Sequence, residues 1–135
     1  MNIATLPQRT ALVLDRVTVL VVTGATRLSD LPKHLPGDWL VVQRRGPLAQ
    51  SAALDRDDGD VREPDIVVLD DPGPRAVTIA CLRHPAAAVV AVLNPYSDHQ
   101  DVVDVLEAGA DACVRSSSTA IVAAHVEACQ RRLAA

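Results

Sequence analysis

Asp70 and Asp71 close the apolar run Ile66-Val67-Val68-Leu69, which Pro64-Asp65 opens and Pro72-Gly73-Pro74 follows. A short β-branched run of this kind predicts a buried strand with a carboxylate held at its C-terminal end. In open parallel α/β sheets ligands gather outside those strand ends. Asp70 is therefore the first candidate for chemistry.

Other constellations in the chain are weaker. Ser116-Ser117-Ser118-Thr119 places four hydroxyls before a helical pattern, a setting for a phosphate or, more simply, for an N-capped loop. Val22-Thr23-Gly24-Ala25-Thr26 resembles a dinucleotide turn, but Arg27 and Leu28 stand where further glycines are wanted. Asp55-Arg56-Asp57-Asp58-Gly59-Asp60 resembles a calcium loop with its glycine one place early and Ile66 where the closing Glu belongs. His34, His84, His99 and His125 show no ligand spacing, so no metal site is expected. Cys81, Cys113 and Cys129 form no CxxC pair and sit in or beside apolar segments, as buried reduced thiols do.

The bulk composition narrows the partners. The 135 residues carry a net charge of −4, one Trp, one Tyr and no Phe. That excludes a basic surface with aromatic base-stacking platforms, so nucleic acid is not an expected partner. Of the 13 basic residues only Lys33 is lysine. Met1–Arg9 lacks the apolar core of a signal peptide, and the apolar runs are far shorter than the roughly 20 residues of a spanning helix. A cytoplasmic protein is expected, reaching a membrane face only through a protein partner.

These residues need elements to hold them. Residues 1–16 read as an N-terminal arm with an extra strand at 11–14, and 17–135 as one domain. Strands are predicted at 17–23, 39–43, 65–70, 87–93 and 112–114. Helical segments are predicted at 26–35, 47–54 and 75–84, with a charged loop at 55–63. A further helix opens on a Ser97–Gln100 capping box, turns Val102 and Leu106 inward and ends at Gly109. The last runs from Ser118 or Thr119 to Leu133, with Ile121, Val122, Val126, Cys129 and Leu133 on its apolar side. The alternation specifies a five-stranded parallel sheet with helices on both faces.

With this order in place, Pro64–Asp70 and Leu106-Glu107-Ala108-Gly109-Ala110-Asp111 together resemble the receiver domains of bacterial response regulators over residues 17–133. The resemblance implies a receiver-like (flavodoxin-like) doubly wound fold with Asp70 at the phosphoacceptor position. Active receivers add an acidic pair after the first strand, a hydroxyl after the fourth and a lysine after the fifth. Those positions fall here on Thr23-Gly24, Asn94 and Ser116, and the switch aromatic on Cys113. One strand-end carboxylate, even beside Asp71, is a poor Mg²⁺ site. Without the ion and the lysine, the charge of phosphoryl transfer goes uncompensated. Asp15 is a stand-in for the acidic pair only if 11–14 is the first strand.

The resemblance therefore implies a pseudo-receiver: not an enzyme, without a cofactor, acting as a protein-interaction module or accessory subunit of a larger assembly. Its partner surface is the penultimate helix, last strand and last helix, residues 98–133, with Tyr96, His99, Val103, Glu107 and Arg115 as candidate contacts. The chain is further similar to the small orphan receiver-like proteins of actinobacteria, one of which resembles an accessory subunit of the mycobacterial respiratory NADH dehydrogenase, complex I. The alternative is a stand-alone response regulator of a two-component system, phosphorylated on Asp70 in an atypical acidic pocket.

Overall fold

The computed structural model describes residues 16–24, 27–45 and 63–134. Most of the arm, the strand expected at 11–14 with Asp15, the helix expected at 47–54 and all of the 55–63 loop but Glu63 lie outside the described residues.

Five parallel strands form one sheet: β1 (Thr18–Thr23), β2 (Leu40–Arg45), β3 (Ile66–Asp70), β4 (Ala88–Leu93) and β5 (Ala112–Arg115). Their spatial order is β2-β1-β3-β4-β5. β1, β3 and β4 are central, which is why they read as unbroken Val-rich runs rather than as alternating ones. Three α-helices lie among the described residues: α1 (Pro74–Arg83), α2 (His99–Glu107) and α3 (Thr119–Ala134).

The strand side chains alternate between two cores. Val19, Val21, Ile66, Val68, Val90 and Val92 pack with Val122, Ala123, Val126 and Cys129 of α3 and with Leu28, Leu31 and Leu35. Leu20, Val22, Val67, Leu69, Val89 and Ala91 pack on the other face with Val77 and Ala80 of α1 and Val105 of α2. Helices therefore cover both faces, as the alternation of elements requires.

The β1–β2 connection departs from expectation. In place of a helix over 26–35, residues 27–30 form a turn and Leu31–His34 a short 3-10 helix. Pro32 in its first turn supplies no N–H, and Leu35 is already extended ahead of Pro36. Trp39 stands just before β2, partly buried against the α3-side core.

The helix faces also needed correction. In α2 the buried residue is Val105, at 2% exposure, whereas Leu106 is 42% exposed. Val102 is partly buried, so the inward stripe runs Val102–Val105, three residues apart. Ile121 and Leu133 of α3 are exposed instead of facing the core. The α2 cap is Asp98, not Ser97: its Oδ1 accepts the Asp101 N–H at 3.0 Å, and Asp101 Oδ2 accepts the Asp98 N–H at 3.2 Å. Ser97 spends its hydroxyl on Asn94 O, 2.6 Å away. Ser118 caps α3, its Oγ accepting the Ile121 N–H at 3.3 Å.

Candidate functional site

In a sheet of order 2-1-3-4-5 the topological switch point lies between β1 and β3, because the chain leaves β1 toward one edge and returns on its other side. The last ladder pair there is Val22↔Leu69. One residue further on, Thr23 and Asp70 stand side by side at the C-terminal rim.

The Asp70 side chain is only 5% exposed, and donors of the chain itself take up both its oxygens. Oδ1 accepts from Arg27 Nε at 2.7 Å and lies 2.6 Å from Arg27 Nη2 in the same ion pair. Oδ2 accepts from Thr23 Oγ1 at 2.8 Å. Such charge-assisted bonds are short and strong. In the sequence Arg27 reads only as a non-glycine in a dinucleotide turn, and nothing in its spacing pairs it with Asp70. The one available signal was an arginine a few residues past a strand end that lacked its acidic pair.

The turn carrying Arg27 is firmly based. Leu28 and Leu31 are buried beneath it. Gln43 Nε2 donates to Leu28 O at 3.2 Å, and Thr119 Oγ1 donates to Asp30 Oδ2 at 3.2 Å. Thus β2 and α3 both brace the segment that delivers the guanidinium.

The other residues that the resemblance sets at receiver positions are occupied with local tasks. Gly24 is exposed, and a Cβ added there would meet nothing within 4 Å beyond its chain neighbours. Asn94 Oδ1 accepts the Tyr96 N–H at 2.8 Å, an Asx turn. Ser116 Oγ accepts the Ser118 N–H at 3.0 Å. Neither side chain is bonded to Asp70. Asp71 is exposed, adopts φ 52°, and donates its N–H to Val92 O at 2.7 Å. Aspartate is among the few residues that tolerate that left-handed geometry.

Mg²⁺, which the resemblance to active receivers implies here, does not fit these residues. An ion needs free carboxylate oxygens in a near-octahedral shell. Here a guanidinium cation already lies on Oδ1, and a hydroxyl proton points at Oδ2. Among the described residues no group of three His, Cys, Asp or Glu is set to hold a metal. Cys113, which the resemblance sets at the switch-aromatic position, is half-buried in the α1/α2-side core. Cys81 is half-buried and Cys129 buried, so the expectation of buried thiols holds fully only for Cys129.

The candidate partner residues are accessible. Tyr96 is 93% exposed and Val103 39%. His99, Glu107 and Arg115 are exposed as well. Arg115 Nη1 donates to Ser97 O at 3.1 Å, which ties the end of β5 to the loop displaying Tyr96. No helix among the described residues is long and apolar enough to cross a membrane.

No protein-family model and no curated relative matches the sequence. Solved structures do match. The BeF3-activated receiver domain of DrrB from Thermotoga maritima is 20% identical, with a TM-score of 0.69 over 86% of this chain and 98% of that one. An orphan response regulator of H. pylori is 19% identical, with a TM-score of 0.66 over 83% and 94%. A CheY-like receiver domain protein from Methanospirillum hungatei is 17% identical, with a TM-score of 0.67 over 88% and 94%. Together with the strand order, these likenesses establish that the chain has the receiver-like, flavodoxin-like doubly wound α/β fold.

Proposed function

We propose that this chain is a pseudo-receiver: a non-catalytic domain that works by binding protein and holds its partner face in one state without phosphorylation. The observation that carries the reading is the engagement of both Asp70 oxygens by Arg27 and Thr23. A phosphoacceptor must offer an oxygen to the incoming phosphorus. At Asp70 that would require breaking a near-buried ion pair, and a bound cation would then crowd Arg27. Asn94 and Ser116 are committed to their own loops, so neither answers a new charge.

The surface at Tyr96, His99, Val103, Glu107 and Arg115 supports protein binding, since it joins an exposed aromatic and an arginine to an apolar edge. The sequence resemblance to orphan receiver-like proteins makes a multisubunit assembly, with the respiratory NADH dehydrogenase first, the partner to test. Such a partner would hold the domain at the cytoplasmic face of the membrane by protein contacts alone.

The test is intact-mass analysis after incubation with acetyl phosphate and Mg²⁺. The expected result is an unchanged mass. A gain of one phosphoryl group, absent in Asp70→Asn, overturns the reading in favour of a working response regulator. Affinity capture at native expression level then identifies the partner.

A further inference from the structure

Arg27 does more than neutralise Asp70. Its Nη2 also donates to Val92 O at 3.4 Å, the carbonyl that accepts the Asp71 N–H at 2.7 Å. Val92 is the ladder partner of Asp70. One guanidinium thus reaches β3 through a side chain and β4 through its backbone, while Thr23 brings β1 to the same carboxylate. The loop presenting Tyr96 begins just beyond. Leu93 O accepts the Ser116 N–H at 3.2 Å, Asn94 O accepts the Ser97 N–H at 3.0 Å, and Ser97 O accepts from Arg115. The run 92–97 is therefore hydrogen-bonded to the switch-point site at one end and to β5 at the other.

The geometry points to Arg27 as a positioning residue for the β4–α2 loop, fixing the backbone that displays Tyr96 from inside the switch-point site. A planar fork suits this task. Nε and Nη2 converge on one carboxylate oxygen, which aims Nη2 at the carbonyl of the neighbouring strand. A lysine keeps the charge but lacks the fork. Only the significance of the loop as a docking element rests on the function proposed above.

The test is amide hydrogen exchange by NMR on the full chain, read at Asp71, Tyr96, Ser97 and Ser116, with Ala123 and Val126 of α3 as internal reference. In Arg27→Gln the four amides are expected to exchange at least about tenfold faster relative to the reference pair, as in a local opening. Arg27→Lys, which retains the countercharge and so a folded chain, is expected to show the same acceleration at a smaller loss of unfolding midpoint. Wild-type relative exchange in either variant overturns the inference. Phosphorylation of the wild-type chain would sink the pseudo-receiver reading and leave this result standing; unaltered exchange in the variants would do the reverse.

Discussion

Arg27 and Asp70 are 43 residues apart in the chain, and Arg27 Nη2 lies 2.6 Å from Asp70 Oδ1. The pair sits at the switch point between β1 and β3, and it engages the carboxylate from within. Breaking a buried pair from one side leaves a charge without compensation, at roughly 3–5 kcal/mol. Because Arg27 is 29% exposed, Arg27→Ala is expected at the low end, about 3 kcal/mol. Asp70→Asn, which keeps a hydrogen-bonding group, should cost about 1–3 kcal/mol. Urea unfolding checks both, and the double variant should cost less than the sum. A loss below about 0.5 kcal/mol for Arg27→Ala would show that the pair carries no stability. Since Asp70→Asn is not structurally silent, a phenotype of that variant alone says nothing about phosphorylation.

Tyr96→Ala separates binding from folding. With its side chain in solvent, the substitution should change stability by no more than about 0.5 kcal/mol. As an aromatic anchor, its loss should weaken association with the native assembly by about tenfold or more. Arg115→Glu should weaken association too, with a small stability cost because its bond to Ser97 O is lost. Wild-type recovery of the partner by both variants would move the interface to the N-terminal arm or the 55–63 loop.

Gly109 ends α2 with φ 123°, and a Cβ added there would lie 2.9 Å from Cys81 Sγ. Gly109→Ala should therefore destabilise by about 1–3 kcal/mol from backbone strain, plus the clash. Cys81→Ala in that background should recover only the contact part, and the difference in chemical-denaturation midpoints measures it. Full recovery would mean that the backbone there is not strained.

Burial pushes the thiols of Cys81, Cys113 and Cys129 above the ordinary range; Asp111 adds to this at Cys81, while Arg115 and Arg132 pull partly back at the other two. The folded chain then keeps protons that the unfolded chain releases from about pH 8.5 upward. Their contribution to stability is complete below that pH and is lost as pH rises through the folded values. Urea midpoints should fall between about pH 8 and pH 10, and less so in a chain with all three cysteines replaced by alanine. An identical slope in both proteins would refute the assignment.

Trp39→Ala should cost about 2–3 kcal/mol, below the 3–5 of a fully buried large side chain, because the indole is only partly buried beside β2. Tryptophan emission at the fully water-exposed position would contradict that placement.

The strands were legible because β-branched runs between turn residues leave little choice. Asp70 stood out because one acid after Val-Val-Leu marks a strand end. The helix faces were harder. Val102–Val105 and Val102–Leu106 both fit helical spacing, and only the packing of α2 against its neighbours selects Val105. Ser97 and Asp98 are both good caps, and the choice turned on Asn94 O capturing the serine. The Arg27–Asp70 pair was hidden for another reason: it depends on the 27–30 turn, which periodicity does not describe.

The opposite rim of the sheet repeats one arrangement twice. Asp65 gives its N–H to Thr18 O at 2.8 Å and takes the Thr18 N–H on Oδ2 at 2.9 Å. Asp111 does the same with Val89, at 2.8 and 2.7 Å. Each aspartate precedes a strand and grips the start of the strand beside it. They act as end-stops against frame slippage. A shift of β3 or β5 by one residue would turn every side chain to the wrong face and also leave a carboxylate pushed against no amide.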